Sequence, residues 1–494
     1  MRDRDKFRVC RLDHGGGNRT AAEQKSGPAI ARLFHRQLFC RTFQPGANGV
    51  LPAKSGVLCS KSNGAAWGRA DSAVAAGLNN CVRECGAIPW RDTGYSPTSK
   101  RRRTAYDDFV VNKELLTSAA PLVSIGIIAW NEEQGIGAML ESVFQQSIFA
   151  ELGKRGRRCE IICVTNGCTD RTPEVVAEIF ARRSLEHPDA GNFSCRVMNV
   201  SERGKINAWN RFVHTFSARD AKYLFLMDAD ILIHPRETLW NMVATLEKNT
   251  EASISVDLPR KDISFKRRKT LWERMSMGAS QMTGSASAQL CGQLYCIRSE
   301  VARNIYLPRD LCACDDGFIK ALVCTDFLMH RVWPWRIVAA AGAAHTFEAY
   351  VSPAVILKNQ KRQMIGQTIV HVLVDDYLKK LPVGQRMKLA EALSRKEQAD
   401  PNWLKQLIAE HLRRTRFCWQ LYPGLLSHRF KRLRALNWFK RIACFPAALA
   451  GFFMALASSF LAYASLKKGA TDYWPRAERG RLKEFELERA TSDA

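Results

Sequence analysis

Tyr223-Leu224-Phe225-Leu226-Met227-Asp228-Ala229-Asp230 is an apolar run of the length of a buried strand that stops abruptly at two acids. Side chains two apart on a strand point to the same face, so if extended geometry persists to the tip, Asp228 and Asp230 converge on one spot. Oxygen ligands in such a pair suit a hard divalent cation, Mg or Mn, which keeps waters and takes its remaining ligands from a phosphorylated substrate. An acidic pair can also do nothing more than end a strand, so the neighbouring segments decide between the two readings.

Upstream of this run, strands and helices alternate. Leu122–Trp130 (LVSIGIIAW) is strand-like and is followed by Asn131, Glu132 and Glu133, then by a helical pattern through Ile136, Met139, Leu140, Val143 and Phe144. Cys159–Val164 gives a second strand, closed by Thr165-Asn166-Gly167-Cys168-Thr169-Asp170. A helix follows, with Asp170 or Thr172 as cap and Pro173 in its first turn. A short strand near Arg196–Val200 precedes Gly204-Lys205-Ile206-Asn207-Ala208-Trp209-Asn210, which opens another helix. This order predicts an α/β fold with a mostly parallel central sheet flanked by helices, its functional groups at the carboxyl ends of the strands. Lys205, at a helix start after a glycine, is placed to meet phosphate, although a lysine there can also be simply exposed.

The ordered blocks AWNEE, TNGCTDRT, GKINAWN and MDAD together resemble the nucleotide-sugar-binding half of the family-2 glycosyltransferases, which have the GT-A (Rossmann-like) fold. Downstream, GQLYCIRS at 292–299 resembles the strand and loop before the acceptor site, and Cys314-Asp315-Asp316-Gly317-Phe318 resembles the acidic motif whose second acid is the catalytic base. The resemblance spans roughly residues 121–370. It implies that Asn131, Glu132 and Asn166 line the nucleotide pocket, that Asp228 contacts the ribose or the metal's waters, and that Asp230 ligates the metal. His345, in AAHTFEAY, falls where some GT-A enzymes place a metal-ligating histidine. Asp316 would take the proton of the acceptor hydroxyl in an inverting transfer, and Asp315 beside it is grouped with the nucleotide-sugar pocket. Two blocks depart from the family pattern. Asn166 stands where many members have Asp, leaving the base open, and Asn359-Gln360-Lys361-Arg362-Gln363 differs from the Gln-x-x-Arg-Trp motif of processive synthases, which argues against a polymerase. A nucleotidyltransferase on a related fold would carry a Gly-rich phosphate loop where Asn131-Glu132-Glu133 stand. A catalytically inactive scaffold at the membrane is the remaining alternative.

The 494 residues carry 74 Lys and Arg against 48 Asp and Glu, a net charge of +26, with much of the excess outside the expected catalytic core. Such a balance fits nucleic acid, an anionic membrane surface or anionic nucleotides. The 16 cysteines do not follow a disulfide framework, and several sit in apolar runs, which points to a reducing compartment. No apolar stretch follows the basic start, so no signal peptide is expected. Arg413–Arg441 is basic with interleaved aromatics and suits an interfacial helix on anionic lipid; no RNA-binding module is recognisable in it, so nucleic acid is not expected as a partner. Ile442–Leu466 is nearly uncharged and long enough to span a bilayer.

The expected organisation is a disordered or poorly ordered basic segment over 1–118, a GT-A domain over 119–372, a helical basic region over 373–441, a transmembrane or membrane-embedded helix over 442–466 and a polar tail over 467–494. The catalytic domain is expected to face the cytoplasm, with a nucleotide-sugar donor, a lipid-linked or cell-envelope glycan acceptor and the membrane surface as partners.

Overall fold

The computed structural model describes residues 109–111, 120–266, 268–270, 273, 289–311, 314–350, 352–425, 433–434 and 437–469. The strands are β1 (Phe109–Val111), β2 (Val123–Ala129), β3 (Cys159–Asn166), β4 (Phe193–Val200), β5 (Tyr223–Asp228), β6 (Ile231–Ile233), β7 (Ile254–Lys261), β8 (Leu294–Arg298) and β9 (Ile337–Phe347). The helices that matter for the site are α1 (Ile136–Phe144), α2 (Thr172–Glu186), α3 (Lys205–Arg211), α4 (Thr238–Lys248), α5 (Asp315–Cys324), α6 (Pro353–His371), α7 (Leu389–Ala399), α8 (Trp403–Arg414) and α9 (Trp438–Lys467).

The strands form one mixed sheet in the order β1-β4-β3-β2-β5-β8-β7-β9-β6. From β4 to β5 every pairing is parallel, as the alternation of strands and helices predicts. Beyond β5 the sheet turns antiparallel through β8 and β7. This places β5, with its acidic end, in the middle of the sheet where the direction changes. Strand β1 lies inside the segment 1–118 expected to be disordered or poorly ordered: Val110 pairs with Arg196 of β4, so order begins upstream of Pro121. The rest of that segment, like the tail from 470, lies outside the described residues.

Period-2 alternation divides the core. Val123, Ile125, Ile127 and Ala129 of β2, with Tyr223, Phe225 and Met227 of β5, pack against α1, α2 and α4. Their neighbours Ile128, Leu224 and Leu226 pack on the other face, against α3, α5 and α6. By that count Asp228 belongs to the second face, which is where α3 and α5 bring their own charged residues. Close approach has a cost in sequence freedom: a Cβ on Gly126 of β2 would lie 2.6 Å from the Phe212 ring, so only glycine fits there.

The C-terminal helices α7, α8 and α9 cover the same face. Helix α9 extends the expected 442–466 segment at both ends. Ala455, Ser458, Ser459, Ala462 and Leu466 form its buried stripe, and α6 is its main packing partner. Among its described side chains several apolar ones are exposed, with Phe453 58% and Phe460 63% accessible. Within it, Ala448–Lys467 is long and apolar enough to cross a membrane.

Candidate active site

Lys205 organises the site. Gly204 adopts φ 149°, a conformation that suits glycine, and turns the chain into α3 so that the lysine points under the tip of β5. Its ammonium lies 2.7 Å from Asp228 Oδ1 and 3.6 Å from Asp315 Oδ2, and donates to the Gly292 carbonyl at 3.2 Å. The three side chains are nearly inaccessible. Burial opposes charge on the lysine, but the two carboxylates outweigh it and hold its pKa above the ordinary value. Asp228 is shifted upward by burial despite Lys205 beside it.

Asp230 follows in the turn after β5 and lines the same cleft as Asp228. The two acids therefore converge, although through a turn and not by continued extended geometry. Burial, and then repulsion from Asp228, raise Asp230 to about 6. Asp316, in the first turn of α5, also lines the cleft and is raised to about 6, by burial first and by Asp315 second. The Gly317 N–H donates to Asp316 Oδ1 at 2.7 Å and fixes its orientation. Asp315 is buried and faces Lys205, so it is part of the charge network under the cleft.

The other sequence candidates divide. Glu132 and Asn166 line the cleft, but Asn131 is not among its lining residues. Asn131 is a positive-φ residue whose amide accepts from the Thr169 N–H at 2.7 Å and donates to Thr169 Oγ1 at 3.1 Å, stapling two loops together. Asn166 is also engaged by backbone: its Nδ2 donates to the Ala129 carbonyl at 2.7 Å and its Oδ1 accepts from the Gly204 N–H at 3.0 Å. It therefore shapes the cleft floor and ties β2 to the turn that carries Lys205. The cap position of α2 is Arg171 and carries no side-chain cap bond; Asp170, one residue ahead, accepts from the Thr172 N–H at 3.1 Å. His345 is fully buried below the cleft, with Nδ1 2.7 Å from Asp257 Oδ2 and Nε2 3.4 Å from Gln293 Oε1.

Among the described residues, no three His, Cys, Asp or Glu side chains assemble into a metal-holding group. Asp228 and Asp230 offer carboxylate oxygens of the kind a hard cation takes, with Asp228 Oδ1 also 2.7 Å from the Lys205 ammonium. His345 does not join them in this arrangement. Burial opposes charge on its ring, but the hydrogen bonds to Asp257 and Cys291 raise its pKa to about 10, so the imidazole is held protonated and offers no lone pair to a metal.

Several cleft residues carried no decisive signal in sequence. Arg203 stacks its guanidinium 3.6 Å over the Trp130 ring beside the cleft, and Lys358 and Arg362 enter from α6. Arg362 lies in the divergent block 359–363, and helical spacing from Lys358 was the available clue. Their positive charge complements a diphosphate.

Residues 124–300 match the family model for glycosyl transferase family 2. This region is a family-2 glycosyltransferase domain. The site acids fall on both sides of the matched boundary, since Asp228 and Asp230 lie within it and Asp316 beyond it. Comparison with curated proteins gives no match. Among solved structures, the chain is similar to a mannosyltransferase from Pyrobaculum calidifontis in complex with GDP-Man and Mn2+ (17% identity, 72% of this chain and 93% of that chain, TM-score 0.42). It is similar to S. aureus TarS 1-349 in complex with UDP (15% identity, 72% and 94%, TM-score 0.33). A third is the glucosyl-3-phosphoglycerate synthase of Mycobacterium tuberculosis with Mn2+, UDP-Glc and phosphoglyceric acid (17% identity, 49% and 78%, TM-score 0.32).

Proposed function

We propose that this glycosyltransferase moves a sugar from a nucleotide-diphosphate-sugar to a hydroxyl of a glycan or lipid-linked acceptor at a membrane, with inversion at the anomeric carbon. The observation that carries the reading is that Lys205, Asp228, Asp230, Asp315 and Asp316, drawn from three separate elements, meet in a single cleft. Asp316 accepts the proton of the acceptor hydroxyl as that oxygen bonds to the anomeric carbon and the bond to the diphosphate oxygen breaks. A base near 6 is deprotonated at neutral pH yet basic enough to share the proton in the transition state. Lys205 holds Asp228 and Asp315 in place, while Arg203, Lys358 and Arg362 offer charge to the phosphates. Asp228 and Asp230 are the residues that would hold Mg or Mn, and the cation would stabilise the charge that develops on the leaving diphosphate.

Helix α9 supports the membrane setting: an apolar helix packed on the catalytic domain exposes Phe453 and Phe460 and follows a basic, aromatic stretch. Its buried stripe on α6 favours a helix embedded along one side over an independent span. Buried free thiols at Cys159, Cys163, Cys195 and Cys296 support a catalytic domain facing the reducing cytoplasm.

The test is thermal stabilisation of the full chain by nucleoside diphosphates and nucleotide sugars, with and without Mn. Stabilisation by at least one that requires Mn, and that Asp230→Ala abolishes, is the expected result. A protein indifferent to every nucleotide refutes the reading and favours an inactive scaffold.

A further inference from the structure

The cleft is larger than a donor site alone calls for. Its volume is about 1230 Å³, beyond the roughly 300–1,000 Å³ of ordinary small-ligand pockets. One wall is a stripe on α6 and its continuation, from Val355 to Asp375 at helical spacing. Those 20 intervals extend about 30 Å at 1.5 Å per residue. The catalytic acids stand beside only the first part of it, because Cys314, which caps α5 ahead of Asp315 and Asp316, lies with Sγ 3.8 Å from the Gln363 carbonyl. Past Gln363 the wall continues for about 18 Å, presenting Gln367, His371 and Asp375 in turn.

This far end is built. The helix changes to a π turn at Val372–Tyr377, the kind of local widening that recurs at functional sites. His371 Nδ1 is 2.6 Å from Asp375 Oδ2, and the His411 ring stands edge-on to His371 at 5.8 Å. His411 is itself held by Asp376 at 3.1 Å and the Leu421 carbonyl at 3.1 Å. The opposite side is Tyr422 and Pro423, with the Tyr422 hydroxyl donating to Gln367 Oε1 at 2.6 Å. None of this lies in the matched segment 124–300. The chemistry also differs from the donor end: Lys358 and Arg362 are left behind, and Asp375 is paired with both His371 and Lys379, so its charge is met within the wall. An amide, an imidazole and a carboxylate set among Val370, Val374 and an aromatic ring suit a ligand with many neutral hydroxyls and apolar C–H faces.

We propose that the end of the cleft formed by Gln367, His371, Asp375 and Tyr422 is the acceptor subsite, and that it takes the neutral, hydroxyl-bearing end of a glycan. This rests on the glycosyltransferase reading above. The wall fixes the acceptor's sugar along α6, so that a hydroxyl reaches Asp316 at the near end. The class of acceptor is therefore set by the C-terminal helices and not by the family-2 core.

The experiment presents the full chain, loaded with Mn and whichever nucleoside diphosphate stabilises it, to an array of immobilised neutral mono- to tetrasaccharides. The wild type should be retained on at least one glycan. Gln367→Ala and His371→Ala should each weaken that retention tenfold or more, and Tyr422→Phe, which removes only the hydroxyl, should weaken it measurably. Thermal stabilisation by nucleotide and Mn should stay at the wild-type level in all three, which also shows that they fold. Retention unchanged in the variants overturns the proposal, as does a wild type that binds nucleotide but no glycan. Loss of nucleotide stabilisation in the wild type removes the glycosyltransferase reading, and this inference with it.

Discussion

Replacing Asp316 by Asn separates catalysis from stability at one atom. Burial and Asp315 raise the Asp316 carboxyl from 3.8 to about 6, so the folded state binds its proton more tightly than the unfolded chain does. Stability from this group is therefore present below about pH 4 and is lost as pH rises towards 6. Above that window the cost is about 2.2 pK units, or about 3 kcal/mol at 1.36 kcal/mol per unit. The side chain is still partly open to the cleft, so solvent screening makes this an upper figure. Asn keeps the shape and cannot ionise. The variant's advantage over wild type should then grow by about 1.4 kcal/mol between pH 5 and pH 7.5, from the same two pK values. For a domain of about 250 residues that is roughly 3–5 °C in melting temperature. Melting curves of both proteins at the two pH values read the effect, and a transfer assay at pH 7.5 should show the stabilised variant inactive. An advantage that is constant or shrinks with pH refutes the claim that Asp316 is a strained acid. Full transfer activity in the variant refutes its role as base.

Three further outcomes follow from the same geometry. The rate of transfer in the wild type should rise about tenfold per pH unit up to about pH 6 and then level off, because only the ionised Asp316 accepts the proton; a flat profile from pH 5 to 8 would remove it from the chemistry. Lys205→Met leaves Asp228 and Asp315 buried without their ammonium and should destabilise by about 3–5 kcal/mol, read by chemical unfolding. Phe453→Asp with Phe460→Asp, both on the exposed side of α9, should keep the melting temperature and abolish co-sedimentation with anionic vesicles.

The elements around β2 to β5 were legible because each is a complete local signal. A run such as Leu122–Trp130 ends in polar residues, the next segment switches to helical spacing, and each junction places one acid or amide at a strand end. Asp228, Asp230, Glu132 and Lys205 came out of that pattern and into the cleft. Asn131 did not, because sequence reports only that a residue sits at a strand end, and its side chain there turned to Thr169 instead. His345 shows the same limit at longer range. Its partner Asp257 is 88 residues away and lies on a different strand, so nothing local announced the buried pair that holds it. Strand β1 was missed for a related reason: three residues inside a basic, glycine-rich region carry too little periodicity to stand out, and only the edge of β4 gives them a place.

The acceptor wall was hidden by its composition. Helix α6 has Met364, Ile365, Thr368 and Ile369 buried on one side and Gln363, Gln367 and His371 on the other, and read alone this is an ordinary amphipathic helix with a solvated polar face. What turns that face into a site is Tyr422 and Pro423 closing in from about fifty residues downstream. The division has a mechanistic consequence. Donor chemistry depends on charges gathered at the ends of adjacent strands, where the backbone fixes them within a few ångströms, and such a pattern tolerates little change. Acceptor choice depends on which uncharged groups α6 presents over its last two turns and on how the C-terminal helices press against it. Those can vary one residue at a time without disturbing Lys205, Asp228 or Asp316. Exchanging Gln367 or Tyr422 should therefore redirect acceptor preference while the Mn-dependent nucleotide response stays intact. If every change that alters acceptor use also weakens nucleotide binding, the two halves of the cleft are one unit and this separation is wrong.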